Sequence, residues 1–246
     1  EALPDLDDAV TVVLAGASAG GAGTIHNADR VGAELRQHNP DLFEFGALVD
    51  SVTPGSPSHY EFSSTAACVD FGLCTFDAFE AARWANNEVF LGTHVDASCR
   101  AMHGSPADEH LCNSNGHVLE HHVTTPFFVR MGQTDESLVV GQVEGNYTID
   151  GQPLTLAQAS GFVREDLARM ADPAGNEEAA DYVLNPAVYS PFCPDHEVLS
   201  DNDQVYDVVV DVDGDDVTMF GLLVDWRLGL DPAVVISAAD GDSVCP

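Results

Sequence analysis

One serine sits in a pattern that could make it a nucleophile. The apolar run Val12-Val13-Leu14-Ala15 leads into Gly16-Ala17-Ser18-Ala19-Gly20-Gly21-Ala22-Gly23, and a polar helical pattern follows. The five residues from Gly16 to Gly20 read G-x-S-x-G, the nucleophile elbow, in which the serine tops a strained strand-to-helix turn. Glycines on both sides are expected because side chains there would collide across so sharp a turn. The N–H of Ala19 would then face a developing oxyanion at the positive end of a helix. A competing reading is an ordinary Gly-rich turn cradling a phosphate. No Lys follows the glycines, and in fact the chain contains none, so a Walker-type phosphate loop is disfavoured.

A serine nucleophile needs a base, and the base needs a carboxylate to orient it. Behind an elbow of this kind the chain order is serine, then Asp or Glu, then His. The acid should follow a buried strand. Asp135 does so, four residues after Pro126-Phe127-Phe128-Val129-Arg130-Met131. The base should come later, and His196, in Phe192-Cys193-Pro194-Asp195-His196-Glu197, is the last histidine of the chain. Glu136 and Asp195 are not excluded as the acid by spacing alone. Asp50 also ends a strand and is the strongest rival. His117, His121 and His122 precede Asp135, which is the wrong order for the base. Adjacent histidines can bind metal, but they point in different directions and more often mark a solvated segment. On this reading the chemistry needs neither metal nor cofactor.

These residues need elements to hold them. Ala9 to Ala15 reads as a buried strand, Asn27 to His38 as the helix behind the elbow, and Phe43 to Val49 as a neighbouring strand ending in Asp50-Ser51. Strand, helix, strand in this order is the α/β signature. A long Pro-, Gly- and Ser-rich excursion begins at Thr53. Within it a helix is expected over Phe76 to Asn86, and Ala97 to His110 is loop-like; the excursion ends near residue 115. Leu156 to Met170 is an amphipathic helix and 175–184 a helical or irregular piece. Tyr206 to Trp226 reads as a hairpin turning at Asp213-Gly214, with Val217 to Val224 as the returning strand. The acidic tip Asp211 to Asp216 lacks the spacing of an EF-hand loop and reads as solvated.

The 246 residues are ample for one domain with a large core, and no apolar run approaches a membrane span. The formal net charge is −33. Such a surface repels nucleic acid and anionic lipid. The carboxylates are spread along the chain rather than massed in one block, which favours a solvation adaptation to high salt over a cationic ligand. Six cysteines, an even number, point to disulfides and export. Proximity pairs Cys68 with Cys74 and Cys99 with Cys112, leaving Cys193 with Cys245. The sequon Asn146-Tyr147-Thr148 is consistent with export.

The block Leu14 to Thr24, then Asn27-Ala28-Asp29-Arg30-Val31 and Val49-Asp50-Ser51, resembles the pectin acetylesterase and Notum carboxylesterase family. The Cys193-Pro194-Asp195-His196 block is similar to that family's histidine block. Pro126 to Asp135 resembles the strand that ends in its aspartate, and Val217 to Trp226 with Cys245-Pro246 resembles its C-terminal portion. The resemblance implies an α/β-hydrolase-type, mostly parallel sheet with helices on both faces. It also implies a secreted serine esterase using Ser18, Asp135 and His196, with an ester substrate such as an acetylated polysaccharide, and it favours Asp135 over Asp50. Two departures stand out. Val52-Thr53-Pro54 replaces the aromatic usual after Asp-Ser, and the elbow lies far nearer the start than in the family. Strands that normally precede it, and a Gly-rich loop donating a second oxyanion N–H, are therefore expected on an N-terminal companion segment or chain. The alternative function is a non-catalytic binding or structural protein that reuses the fold within a larger assembly.

Overall fold

The computed structural model describes residues 6, 8–52, 66–75, 78, 81–82, 85, 95–105, 108–144, 147–149, 151–171, 186–199, 204–230, 234–238 and 243–245. Its centre is a five-stranded sheet built from β1 (Thr11–Ala17), β2 (Glu44–Asp50), β3 (Phe127–Arg130), β6 (Ala187–Ser190) and β9 (Val234–Ile236). The strands lie in the order β1-β2-β3-β6-β9 and every pairing is parallel. Between β3 and β6 lies the small ladder of β4 (Thr148–Ile149) and β5 (Gln152–Pro153). After β6 come β7 (Val209–Val212) and β8 (Asp215–Thr218), which pair as a hairpin joined by β10 (Ser243–Val244).

Parallel strands must be covered on both faces, and period-two alternation decides which side chain serves which face. On one face Ala47, Val49, Phe127, Val129 and Val188 pack with helices α1 (Ala19–His38), α4 (Asn115–His121) and α5 (Leu156–Ala171). The residues between them, Leu48, Phe128, Ala187 and Tyr189, face the other way. There they meet Val208, Val210 and the inward residues Met219 and Leu222 of α6 (Met219–Arg227). This is the α/β arrangement the sequence implies, with helices on both faces. Short helices among the described residues include α2 (Ala66–Phe71) and α3 (Ala97–Met102). Among the described helices none is long and apolar enough to cross a membrane.

Three elements differ from the sequence reading. Helix α1 begins at Ala19, not Asn27. Its first turns carry three glycines, which weaken both pattern and propensity, and Gly21 is helical there through its tight packing. A Cβ on Gly21 would lie 2.4 Å from Val52 Cγ2. Residues 97–102 form α3 rather than a loop, because the Asp96 carboxylate caps it by accepting from Ser98 N and Cys99 N. The expected returning strand is cut short at Thr218, whose hydroxyl accepts from Gly221 N and starts α6. The three disulfides form with the expected pairings. Most of the expected helix over 76–86, the stretch 175–184 and Asn146 of the sequon lie outside the described residues.

Candidate active site

The parallel sheet points the C-terminal ends of β1, β2, β3 and β6 the same way, and the loops leaving them build one site. The first loop is the elbow. Ser18 lies between β1 and α1 at φ 52° and ψ −121°, a strained conformation for a residue with a Cβ. Its N–H donates to Asp50 O at 2.9 Å, which locks the turn to β2. Gly16 behaves as the motif requires, since a Cβ there would lie 2.2 Å from Gly20 O and 2.6 Å from Thr24 Oγ1. Gly20 does not, because a Cβ on it would meet nothing within 4 Å. The crowded partner is instead Gly21, one residue further on. Ala19 is the first residue of a 20-residue helix, so its N–H lacks an intrahelical acceptor beside Ser18.

The second loop leaves β3. Asp135 is fully buried and caps the next turn, Oδ1 accepting from Ser137 N at 2.9 Å and Leu138 N at 2.8 Å. The third loop leaves β6 and carries His196. The His196 Nδ1 lies 2.9 Å from both Asp135 carboxylate oxygens, and Nε2 lies 3.0 Å from Ser18 Oγ. A carboxylate only accepts, so Nδ1 bears the proton and Nε2 is left to accept from the serine hydroxyl. Residues 18, 135 and 196 thus form one unbroken hydrogen-bonded relay. The His196 side chain remains 19% exposed, so the relay is reachable from outside.

Asp50, the main rival for the acid, has a different position and partners. It is fully buried, and Oδ2 accepts from Val198 N at 2.8 Å and Leu199 N at 2.9 Å, just past His196. Its Oδ1 accepts from Ser51 Oγ at 3.0 Å and lies 3.3 Å from Arg130 Nη1. Arg130, only 1% exposed, donates through that nitrogen to Ser51 Oγ and Asp195 O, each at 2.9 Å. Asp50 and Arg130 therefore hold the backbone on both sides of His196. Sequence reasoning passed over Arg130, though a charge inside the apolar run Phe127-Phe128-Val129-Arg130-Met131 was a visible signal, since buried charges are almost always paired. The other rivals for the acid also serve the loop through their backbone: Glu136 N donates to Pro194 O at 2.9 Å, and Asp195 O accepts from Arg130. Gly132 completes the contact, since a Cβ on it would lie 2.6 Å from Cys193 O. The Cys193–Cys245 disulfide anchors the loop three residues before His196.

His117, His121 and His122 take no part in this relay. They gather in the excursion between β2 and β3 with His103, and His122 is fully buried rather than solvated. Burial, and then repulsion from the neighbouring imidazoles, pushes His117 down to about 3. Burial likewise lowers His122 to about 4, against an opposing pull from Asp96. Both rings are neutral near pH 7. A cavity of about 220 Å³ opens at the opposite ends of β1 and β2, lined by Thr11, Val13, Phe43, Phe45, Pro126 and Trp226 among others. Ser18 is not among the residues that line it.

Two crystal forms of the Wnt deacylase Notum from Drosophila superpose with a TM-score of 0.60 each, at 18% and 20% sequence identity. The alignments cover 93% and 96% of this chain but 56% and 60% of the Notum chains. The chain shares the Notum fold. It spans little more than half the length of those structures. No protein-family model and no curated protein matches the sequence.

Proposed function

We propose that the chain is a serine carboxylesterase. Ser18 Oγ attacks the ester carbonyl while His196 Nε2 takes its proton, and His196 then returns that proton to the departing alcohol. Water, deprotonated by the same nitrogen, attacks the acyl-enzyme and releases the acid, and His196 passes that proton back to the departing Ser18 Oγ. Asp135 fixes the imidazole tautomer and stabilises the imidazolium. The Ala19 N–H is one donor to the tetrahedral oxyanion. The observation that carries this reading is the continuous relay from Asp135 through His196 to Ser18, at 2.9 and 3.0 Å. The fold shared with a deacylase supports the same reaction class.

The substrate we propose is an acetylated polysaccharide, by likeness to pectin acetylesterases. Three disulfides support an extracellular setting, and a charge of −33 distributed over the chain supports a high-salt one. A companion segment or chain is part of the proposal. Among the described residues β1 has a partner on one side only, and Val10, Val13 and Phe43 are exposed beside it at 60%, 36% and 80%. An open, apolar strand edge of this kind invites a further strand. That companion would supply the second oxyanion donor.

Hydrolysis of acetyl esters by material carrying its companion tests the proposal. Activity that disappears in Ser18→Ala with the fold intact is expected. A wild-type assembly inert towards acetyl esters would instead favour the non-catalytic reading. Intact mass of the native material reports the companion directly, and a fully active lone chain of 246 residues would remove it from the account.

A further inference from the structure

The relay uses one histidine, but the described residues hold a second group of imidazoles. His103 follows α3, and His117 and His122 lie on α4 and at its end. Their ring centroids are 4.9, 5.2 and 5.5 Å apart. One nitrogen from each ring, together with Cys99 Sγ, falls within a set no wider than 4.8 Å. The sulfur is bonded to Cys112 and is therefore no thiolate, which leaves three imidazoles as the donors.

The hydrogen bonds around His122 define its protonation. Ser98 Oγ lies 2.6 Å from Asp96 Oδ1 and 3.1 Å from His122 Nδ1. The carboxylate can only accept, so the single serine proton goes to Asp96 and Nδ1–H of His122 donates to Ser98. Nε2 is then a bare lone pair. It is buried and has no hydrogen-bond partner among the described residues. A carboxylate acting through a hydroxyl to orient an imidazole is the outer-shell arrangement that supports a metal-ligating histidine. The other two rings already face each other, with His103 Nε2 and His117 Nε2 3.0 Å apart and one proton shared between them. Nitrogens sharing a tetrahedral zinc ion at about 2.0–2.1 Å are about 3.3 Å apart, so this pair is close to ligating geometry.

We propose that His103, His117 and His122 bind one divalent transition-metal ion, of which Zn²⁺ is the simplest. The ion takes the place of the proton shared by His103 Nε2 and His117 Nε2, the ring that carried it moving that proton to its own Nδ1, and the fourth position is left to water. Imidazole donors select zinc, copper or nickel over calcium and magnesium, which the acidic surface binds diffusely. The ion cross-links the end of α3 to α4 and adds a second clamp beside the Cys99–Cys112 disulfide.

The test is titration of Zn²⁺, followed by Co²⁺, into metal-stripped protein in excess Mg²⁺ to occupy surface carboxylates. One saturable Zn²⁺ per chain, a tetrahedral Co²⁺ visible spectrum and a higher melting temperature are expected. The half-buried pair His103→Gln/His117→Gln should remove all three while melting like stripped wild type. Ser98→Ala should weaken binding by about 10–100-fold through the lost orientation of His122, and His121→Gln should leave it unchanged. Wild type that binds no more Zn²⁺ than the double variant, or a double variant that retains full affinity, would overturn the proposal.

Discussion

Asp50 at the end of β2 and Asp135 after β3 are both fully buried aspartates, yet removing their charges should have different consequences. Asp50 pairs with Arg130, which is itself 1% exposed, and accepts two backbone N–H groups beyond His196. In Asp50→Asn the amide can still accept at one oxygen, but the Arg130 charge stays buried with no carboxylate beside it. Breaking a buried pair from one side costs about 3–5 kcal/mol. With a urea dependence of about 2–3 kcal/mol per molar, the unfolding midpoint should fall by about 1–2.5 M. Asp135→Asn retains an acceptor for Ser137 N and Leu138 N and strands no buried arginine. Its midpoint should shift by less than about 0.5 M, corresponding to about 1 kcal/mol of weakened capping. Urea melts followed by tryptophan fluorescence and by circular dichroism measure both. An Asp50→Asn midpoint within 0.5 M of wild type, on the same scale of about 1 kcal/mol, would refute the assignment of Asp50 as the clamp of the histidine loop. An equally large loss in Asp135→Asn would do the same.

Three further outcomes follow from particular contacts. Gly16→Ala should destabilise the elbow severely, since its Cβ would sit 2.2 Å from Gly20 O, whereas Gly20→Ala meets nothing within 4 Å and should fold normally; thermal melts distinguish them. Cys245→Ser opens a loop with a sequence separation of 52 and should cost about 4 kcal/mol by the loop-entropy estimate, read by urea melts with and without reductant. A chain with 41 acidic and 8 basic residues should lose melting temperature on transfer from concentrated to dilute salt, as screening of its self-repulsion is withdrawn. An unchanged melting temperature in dilute buffer would count against the high-salt adaptation.

Much of the site was legible because its constraints are local. The elbow is a covalent-scale turn, so Gly16 and Ser18 announce it. Loop order behind an elbow points to His196 and narrows the acid to a few carboxylates, and the family resemblance favours Asp135 over Asp50. The disulfide partners were legible from proximity and remainder. Features set by tertiary packing were harder to read. The start of α1 was missed because Gly20, Gly21 and Gly23 give no helical pattern, and Gly21 is helical through its fit against Val52. The roles of Asp50 and Arg130 depend on a contact across 80 residues of sequence. A metal role for the pair His121-His122 is disfavoured in sequence because adjacent side chains point apart, and nothing in the sequence links either to His103. The fold resolves this by burying His122 and bringing in His103 from 19 residues earlier.

The central claim is that Ser18 is activated by His196. Exposure of the protein to a fluorophosphonate, followed by intact mass and peptide mapping, tests it without any assumption about the substrate. A single covalent adduct on Ser18 is expected, forming in the wild type and lost in His196→Ala although Ser18 remains. An adduct on another residue, no adduct with the companion present, or undiminished labelling in His196→Ala would contradict it.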